Sequence, residues 1–148
     1  MTESNEQDIA SFVTFRIART QARLNAQATK ILRAHSDLTL AEWRVLQLLK
    51  LFDGGTMSDM AHELDMDKGQ LSRNVKTLVQ KNLVESEADS ADHRKHHLRL
   101  TPQAQELRAR LMPIMAQRQE ALVGDVPREK LDVFFDVLGQ IYNAASQR

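Results

Sequence analysis

The chain has no cysteine among its 148 residues, which excludes disulfide cross-links and any switch that works by thiol oxidation. It has no excess charge either. Twenty Lys and Arg are matched by twenty Asp and Glu, so the field of the whole molecule gives no reason to expect a nucleic-acid partner. No apolar run approaches the roughly eighteen residues of a membrane-spanning helix, and the first fifteen residues are polar and acidic, unlike a secretory leader. A soluble, cytoplasmic protein with no membrane partner is expected. Signatures of catalysis are missing as well: there is no Gly-rich phosphate loop, no Gly-x-Ser-x-Gly turn and no pair of acids in an apolar setting. His62-Glu63 does not begin a zinc-protease motif, because Met66 stands where its second histidine would fall. No enzyme activity, cofactor or catalytic residue is expected, and there is no internal repeat or low-complexity segment.

What the chain does have is a local concentration of charge. Residues 67–81 carry four cations, Lys68, Arg73, Lys76 and Lys81, and no anion after Asp67. Leu71, Val75, Leu78 and Val79 recur at the i, i+4, i+7, i+8 spacing of a buried helical stripe, which leaves Lys68, Ser72, Arg73, Lys76 and Lys81 to project outward. Asp67 suits the N-cap, and Gln70 three residues later completes a capping-box pattern. The Gln70 amide has two possible uses: returning to the Asp67 backbone, or contacting an adenine edge. Since Asp67 alone can cap, the second use is preferred.

A cationic helix face by itself is commonly just solvated, so its neighbours matter. Ser58 is expected to cap a short helix from Asp59 to Leu64, with Met60, Ala61 and Leu64 inward and a turn at Asp65-Met66-Asp67. Two helices joined this closely, the second one basic, form a helix-turn-helix. After Lys81-Asn82 the pattern changes. Leu83 to Glu87 and His97 to Leu100 alternate as half-buried strands do, and the polar stretch Ala88 to His96 reads as the hairpin between them. This wing holds His93, Arg94, Lys95, His96, His97 and Arg99. A helix that fits the roughly 12 Å major groove, beside a cationic hairpin slender enough for the minor groove, suits double-stranded DNA. Lys76 and Lys81 are expected to hold phosphates, and Ser72 and Arg73 to reach base edges.

The remainder is helical. From about Glu6 to His35 no Gly or Pro interrupts the helical spacing of Ile9, Phe12, Val13, Ile17, Leu24, Ala28, Ile31 and Leu32, so one long helix is expected. Thr39 and Glu42 form a capping box, with Leu38 stapling on Trp43, for a helix from Leu40 to about Phe52 that Gly54-Gly55 ends. Thr101-Pro102 starts another helix, in which Leu107, Leu111, Ile114, Met115 and Leu122 suggest an apolar face and Pro113 should introduce a kink. A break at Gly124-Asp125-Val126-Pro127 precedes a last helix rich in apolar residues: Leu131, Phe134, Phe135, Leu138, Ile141 and Tyr142. Thr2 to Gln7 and Ser146 to Arg148 are expected to fray. By length this is one domain. Terminal helices so apolar are expected to pair with a second copy, residues 6–35 and 102–146 forming a two-fold dimer. That would set two basic helices about one DNA turn, roughly 34 Å, apart on a pseudo-palindromic site.

The run Leu64-Asp65-Met66-Asp67-Lys68-Gly69-Gln70-Leu71-Ser72-Arg73, then Leu78, Lys81-Asn82-Leu83-Val84, and Ala91-Asp92-His93-Arg94 through Leu98-Arg99-Leu100-Thr101, resembles the MarR-type winged helix-turn-helix transcriptional regulators over essentially the whole chain. The resemblance implies a mainly α fold with a small β-wing. Residues 38–101 would be the DNA-binding module, and the N- and C-terminal helices a dimerisation region. The family's Asp-x-Arg wing signature maps to Asp92 and Arg94; Arg94 would enter the minor groove, next to Lys95, and Asp92 would orient the wing. His93 departs from the pattern, since many members carry a second Arg there. Without cysteine, the peroxide-sensing branch is excluded. What remains is a homodimeric repressor released from DNA by a small organic effector, an aromatic acid among the candidates. Phe12, Arg16, Trp43 and Arg44 lie on helices that would line the family's ligand crevice, although core packing and solvation explain them equally well. Two alternatives stay open. One is a winged helix used for protein contact; the other is a zinc-responsive regulator built on His93, His96 and His97, which show no carboxylate at fixed spacing to complete a site.

Overall fold

The computed structural model describes residues 8–64 and 66–147. Thr2 to Gln7, the expected helix start at Glu6, Asp65 of the interhelical turn and the terminal Arg148 lie outside the described residues. The chain divides into two compact units, residues 1–108 and 109–148.

In the first unit a single 3-10 turn, Ile9–Ser11, precedes α1, Val13–His35. The expected unbroken helix is therefore interrupted, and the cause is local hydrogen bonding that competes with the α-helical ladder. Asp8 accepts from the Ala10 amide through its side chain at 3.1 Å and from the Ser11 amide through its carbonyl at 2.8 Å. Arg16 Nε then donates to the Ala10 carbonyl at 2.9 Å, and Phe12 stays extended at ψ 129°.

Helix α2, Leu40–Leu51, begins with both halves of the expected capping box: Glu42 N donates to Thr39 Oγ1, and Thr39 N donates to Glu42 Oε2, each at 3.1 Å. Helix α3, Met57–Leu64, starts earlier than expected because Thr56, not Ser58, supplies the cap. The Thr56 hydroxyl accepts from Asp59 N at 3.3 Å and donates to Asp59 Oδ2 at 2.8 Å. Thr56 is already held in extended backbone by a bridge to His97, the conformation an N-cap requires.

Helix α4, Lys68–Gln80, has Asp67 as its cap, with Gln70 N donating to Asp67 Oδ2 at 3.2 Å. Leu71, Val75 and Leu78 are buried, but Val79, assigned above to the same stripe, is 42% exposed. One residue past Leu78 turns about 100° around the axis, beyond the narrow face that α2 and α3 cover. Asn82, at φ 59°, ends the helix in a left-handed conformation. Leu83 N reaches the Leu78 carbonyl and Asn82 N the Val79 carbonyl, at 2.9 and 3.0 Å, a Schellman closure in which Leu78 and Leu83 are both buried.

Strands β1, Val84–Ala88, and β2, His96–Leu100, pair antiparallel from Val84 opposite Leu100 to Ala88 opposite His96. The loop after α2 joins their edge. Leu98 exchanges hydrogen bonds with Gly54 and Gly55, both at 3.1 Å, and Gly54 makes the turn at φ 75°. The core beneath is aliphatic: Leu32, Val45, Leu46, Leu49, Met60 and Leu98 are fully enclosed. Helix α5, Pro102–Val123, is capped by Thr101, whose hydroxyl accepts from Ala104 N and donates to the Asn82 carbonyl.

The second unit contains the rest of α5, which runs on through Pro113, and α6, Arg128–Ser146. The break falls at the expected 124–127 stretch. Ser146, expected to fray, is the last residue of α6 and returns its hydroxyl to the Tyr142 carbonyl at 2.8 Å. Helix α6 leaves Val133, Phe134, Phe135, Val137 and Tyr142 exposed.

Candidate nucleic-acid interface

Helix α4 turns its aliphatic stripe inward and displays Lys68, Gln70, Ser72, Arg73 and Lys76 to solvent. The cap uses the Asp67 carboxylate and the Gln70 backbone amide. No return bond from the Gln70 side chain is present among the described residues, so its amide is available to a ligand. Arg73 reaches back over Gly69, 3.5 Å from where a Cβ would stand. Donors are thus gathered near the helix N-terminus, where the peptide dipole also favours an anion.

Lys81 is different. Expected among the outward cations, it turns inward, its Nζ donating to Glu42 Oε2 at 3.0 Å and to the Asp37 carbonyl at 2.9 Å. Glu42 is only 4% exposed, and an ionised carboxylate at that depth needs a cation beside it. Lys81 therefore ties the C-terminal end of α4 to the start of α2, instead of standing with the outward cations where the sequence places it.

The wing turn between β1 and β2 is ordered by carboxylates. Asp89 Oδ2 accepts from Ala91 N at 3.1 Å and from Asp92 N at 2.9 Å, while Asp92 Oδ1 accepts from Arg94 N at 3.0 Å. Two backbone bonds close the turn, Asp89 N to the Lys95 carbonyl and Lys95 N to the Asp92 carbonyl. Arg94 and Lys95 are left exposed at its tip. Below it, His97 bridges two elements, with Nε2 at 2.8 Å from Asp89 Oδ1 and Nδ1 at 2.8 Å from the Gly54 carbonyl. The hydrogen bonds to Asp89 and then Gly54 raise the His97 pKa. The same contact with His97 lowers that of Asp89, and the Thr56 hydroxyl lowers that of Asp59.

His97 and Asp89 were not distinguished by the sequence from the other polar residues of the hairpin. The available signal was that Leu98 and Leu100 face inward; the acceptor that holds His97 lies 43 positions away. Among the described residues no group of three or more His, Cys, Asp or Glu is placed to hold a metal ion.

The four candidate effector residues do not form one site. Trp43 is buried at 6% exposure in the aliphatic core, and Arg44 donates to Asn25 Oδ1 at 2.8 Å. Phe12 is exposed and does not line the cleft that Arg16 enters. That cleft, about 520 Å³, is bounded by Ala10, Phe15, Arg16, Arg19, Thr20 and Arg23. Phe15, and neither Phe12 nor Trp43, is the ring that lines this cleft, because within α1 it stands one and two turns before Arg19 and Arg23. Arg19 stacks over its ring at 5.7 Å.

A capped basic helix after a short helix, followed by a two-stranded hairpin with a cationic tip, defines a winged helix-turn-helix protein. The MarR family model matches residues 36–95, which hold the helix-turn-helix and most of the wing. The resemblance read from the sequence is thus shown for this module, and solved structures extend the fold to the whole chain. A MarR/EmrR family transcriptional regulator from Acinetobacter sp. ADP1 is 23% identical with a TM-score of 0.88, over 95% of this chain and 99% of that one. MepR from S. aureus, solved with DNA, is 20% identical with a TM-score of 0.83, over 90% and 98%. The regulator PcaV from Streptomyces coelicolor, solved with its natural ligand, is 21% identical with a TM-score of 0.80, over 94% and 97%. No curated protein matches the sequence.

Proposed function

We propose that this chain is a sequence-specific double-stranded DNA-binding transcriptional regulator, acting as a homodimer and not as an enzyme. The observation that carries the reading is the solvent-facing set Lys68, Gln70, Ser72, Arg73 and Lys76 on a capped helix, one element away from a braced turn that offers Arg94 and Lys95. Arg73 and Ser72 are the base-reading candidates, with Gln70 beside them; Lys68 and Lys76 hold phosphates, and Arg94 and Lys95 enter the minor groove with Asp92 fixing the turn. The DNA complex of MepR supports the same use of the fold here.

Dimerisation is supported by the apolar surface left open on both terminal segments. Ile9, Phe12, Val13 and Ile17 are exposed at one end, and Val133, Phe134, Phe135 and Tyr142 at the other. A second copy covers both and gives the operator its two-fold symmetry. Repression relieved by a small acidic effector is the regulatory mode we favour. Three guanidiniums beside Phe15 in a cleft of this size suit an aromatic carboxylate, and the ligand complex of PcaV supports an effector-responsive reading.

Selection of the purified protein on random duplex fragments, at two salt concentrations, tests the proposal. A pseudo-palindromic consensus is expected, with release when the matching aromatic acid is added and retention of DNA in Arg16→Ala under the same conditions. Binding without any preferred sequence, lost steeply with salt, would instead support a surface for acidic protein partners.

A further inference from the structure

The two partners of His97 can only accept. Nδ1 stands 2.8 Å from the Gly54 carbonyl oxygen, and Nε2 stands 2.8 Å from the Asp89 carboxylate. A neutral imidazole has one N–H, so either tautomer would turn a lone pair toward one of these oxygens. Both hydrogen bonds exist together only when the ring carries two protons and a positive charge. The ring is moreover the link between the wing turn and the body of the module. On one side Gly54 and Thr56 belong to the loop between α2 and α3. On the other, Asp89 directs its second oxygen to the amides of Ala91 and Asp92, and Asp92 in turn holds the amide of Arg94.

We infer that a proton on His97 locks the wing turn in the conformation that presents Arg94, so that removing this proton loosens residues 89–95 and weakens binding to duplex DNA. The second half rests on the DNA-binding reading above; the first does not. Other charges around the ring act in the same direction or oppose it weakly. Asp89 contacts it directly, Glu87 stands opposite it on β1, and Asp59 of α3 interacts with both His97 and Lys95. Arg99, farther along β2, opposes the charge. The raised pKa of His97 fixes the sign. Its contribution is complete below the unfolded histidine value and is lost as pH rises through the higher folded value. Asp89, with a lowered pKa, contributes above the unfolded carboxylate value and loses its part as pH falls through its own lowered value. The lock is closed between the two.

Two measurements on the full chain separate the halves. Amide exchange of residues 89–95 without DNA, followed from about pH 6 to about pH 9 and corrected for intrinsic rates, should show protection lost in step with the His97 ring titration. In His97→Gln and Asp89→Asn the protection should be low throughout, with no step. Duplex affinity over the same range should fall about tenfold further in the wild type than in His97→Gln. His93→Gln and His96→Gln, which alter exposed rings outside the bridge, should keep the wild-type step. A His97 ring that titrates at or below the ordinary histidine value, or a wing equally protected at both ends of the range, overturns the lock. So does duplex binding with identical pH profiles in wild type and His97→Gln. A pH-dependent wing in a protein that binds no duplex at any pH supports the lock and sinks the DNA-binding reading instead.

Discussion

Helix α4 and the wing turn both hold cations out to solvent, but they are held by different forces. Leu71, Val75 and Leu78 anchor α4 by aliphatic burial, and a Schellman closure and an internal ion pair fix its C-terminal end. Between residues 89 and 95 no side chain is buried. The turn is kept by hydrogen bonds to two carboxylates and, through Asp89, by one histidine. Burial is indifferent to pH over the physiological range and is little affected by salt, whereas partly exposed charged hydrogen bonds respond to both. In the proposed interface the helix is therefore the constant part and the wing the adjustable part.

The largest expected effect comes from the anchor. Leu78→Ala should destabilise the protein by about 2–5 kcal/mol in urea unfolding, because a fully enclosed side chain leaves a cavity where α4 meets the wing; a loss below about 1 kcal/mol would show that burial does not hold the helix. Lys81→Met should cost roughly 2–3 kcal/mol, less than a wholly buried pair since Lys81 keeps some solvent contact. Adding Glu42→Gln should recover part of that loss, which a merely solvated lysine would not allow.

At the adjustable end, Arg94→Ala should leave unfolding unchanged and weaken duplex binding by about 1–3 kcal/mol if the guanidinium enters the groove. Equal affinity for the variant would confine recognition to α4. Lys76→Ala should have the smallest effect, weakening all sequences alike and reducing the salt slope by about one phosphate. A change in sequence preference would make Lys76 a base reader.

Legibility in the sequence followed the range of the interaction. The capping box of Thr39 with Glu42, Asp67 as the N-cap of α4, and the buried positions Leu71, Val75 and Leu78 are all set by neighbours within one or two helical turns, and the structure shows each of them. The second half of the capping box at Gln70 does not form among the described residues. The same reasoning failed where a local alternative was close in energy. Asp8 diverted the chain into a 3-10 turn, and Thr56, held extended by its bridge to His97, displaced Ser58 as the cap. Val79 met the periodicity but lay beyond the covered face. Lys81 could not be told from Lys76 by spacing, because the carboxylate that claims it stands 39 residues earlier.

By itself the sequence determined which segments are helical, where most of them are capped, and that a basic helix is followed by a cationic hairpin, since backbone propensity, periodicity and capping act over a few residues. Tertiary structure decided that Lys81 is held by a buried carboxylate while Lys76 faces solvent, that Trp43 belongs to the core, and which of three wing histidines bridges to the body of the module. Those outcomes depend on the acceptors and apolar surfaces that folding brings close from distant positions. A charged or aromatic side chain takes its role from the strongest such neighbour within reach.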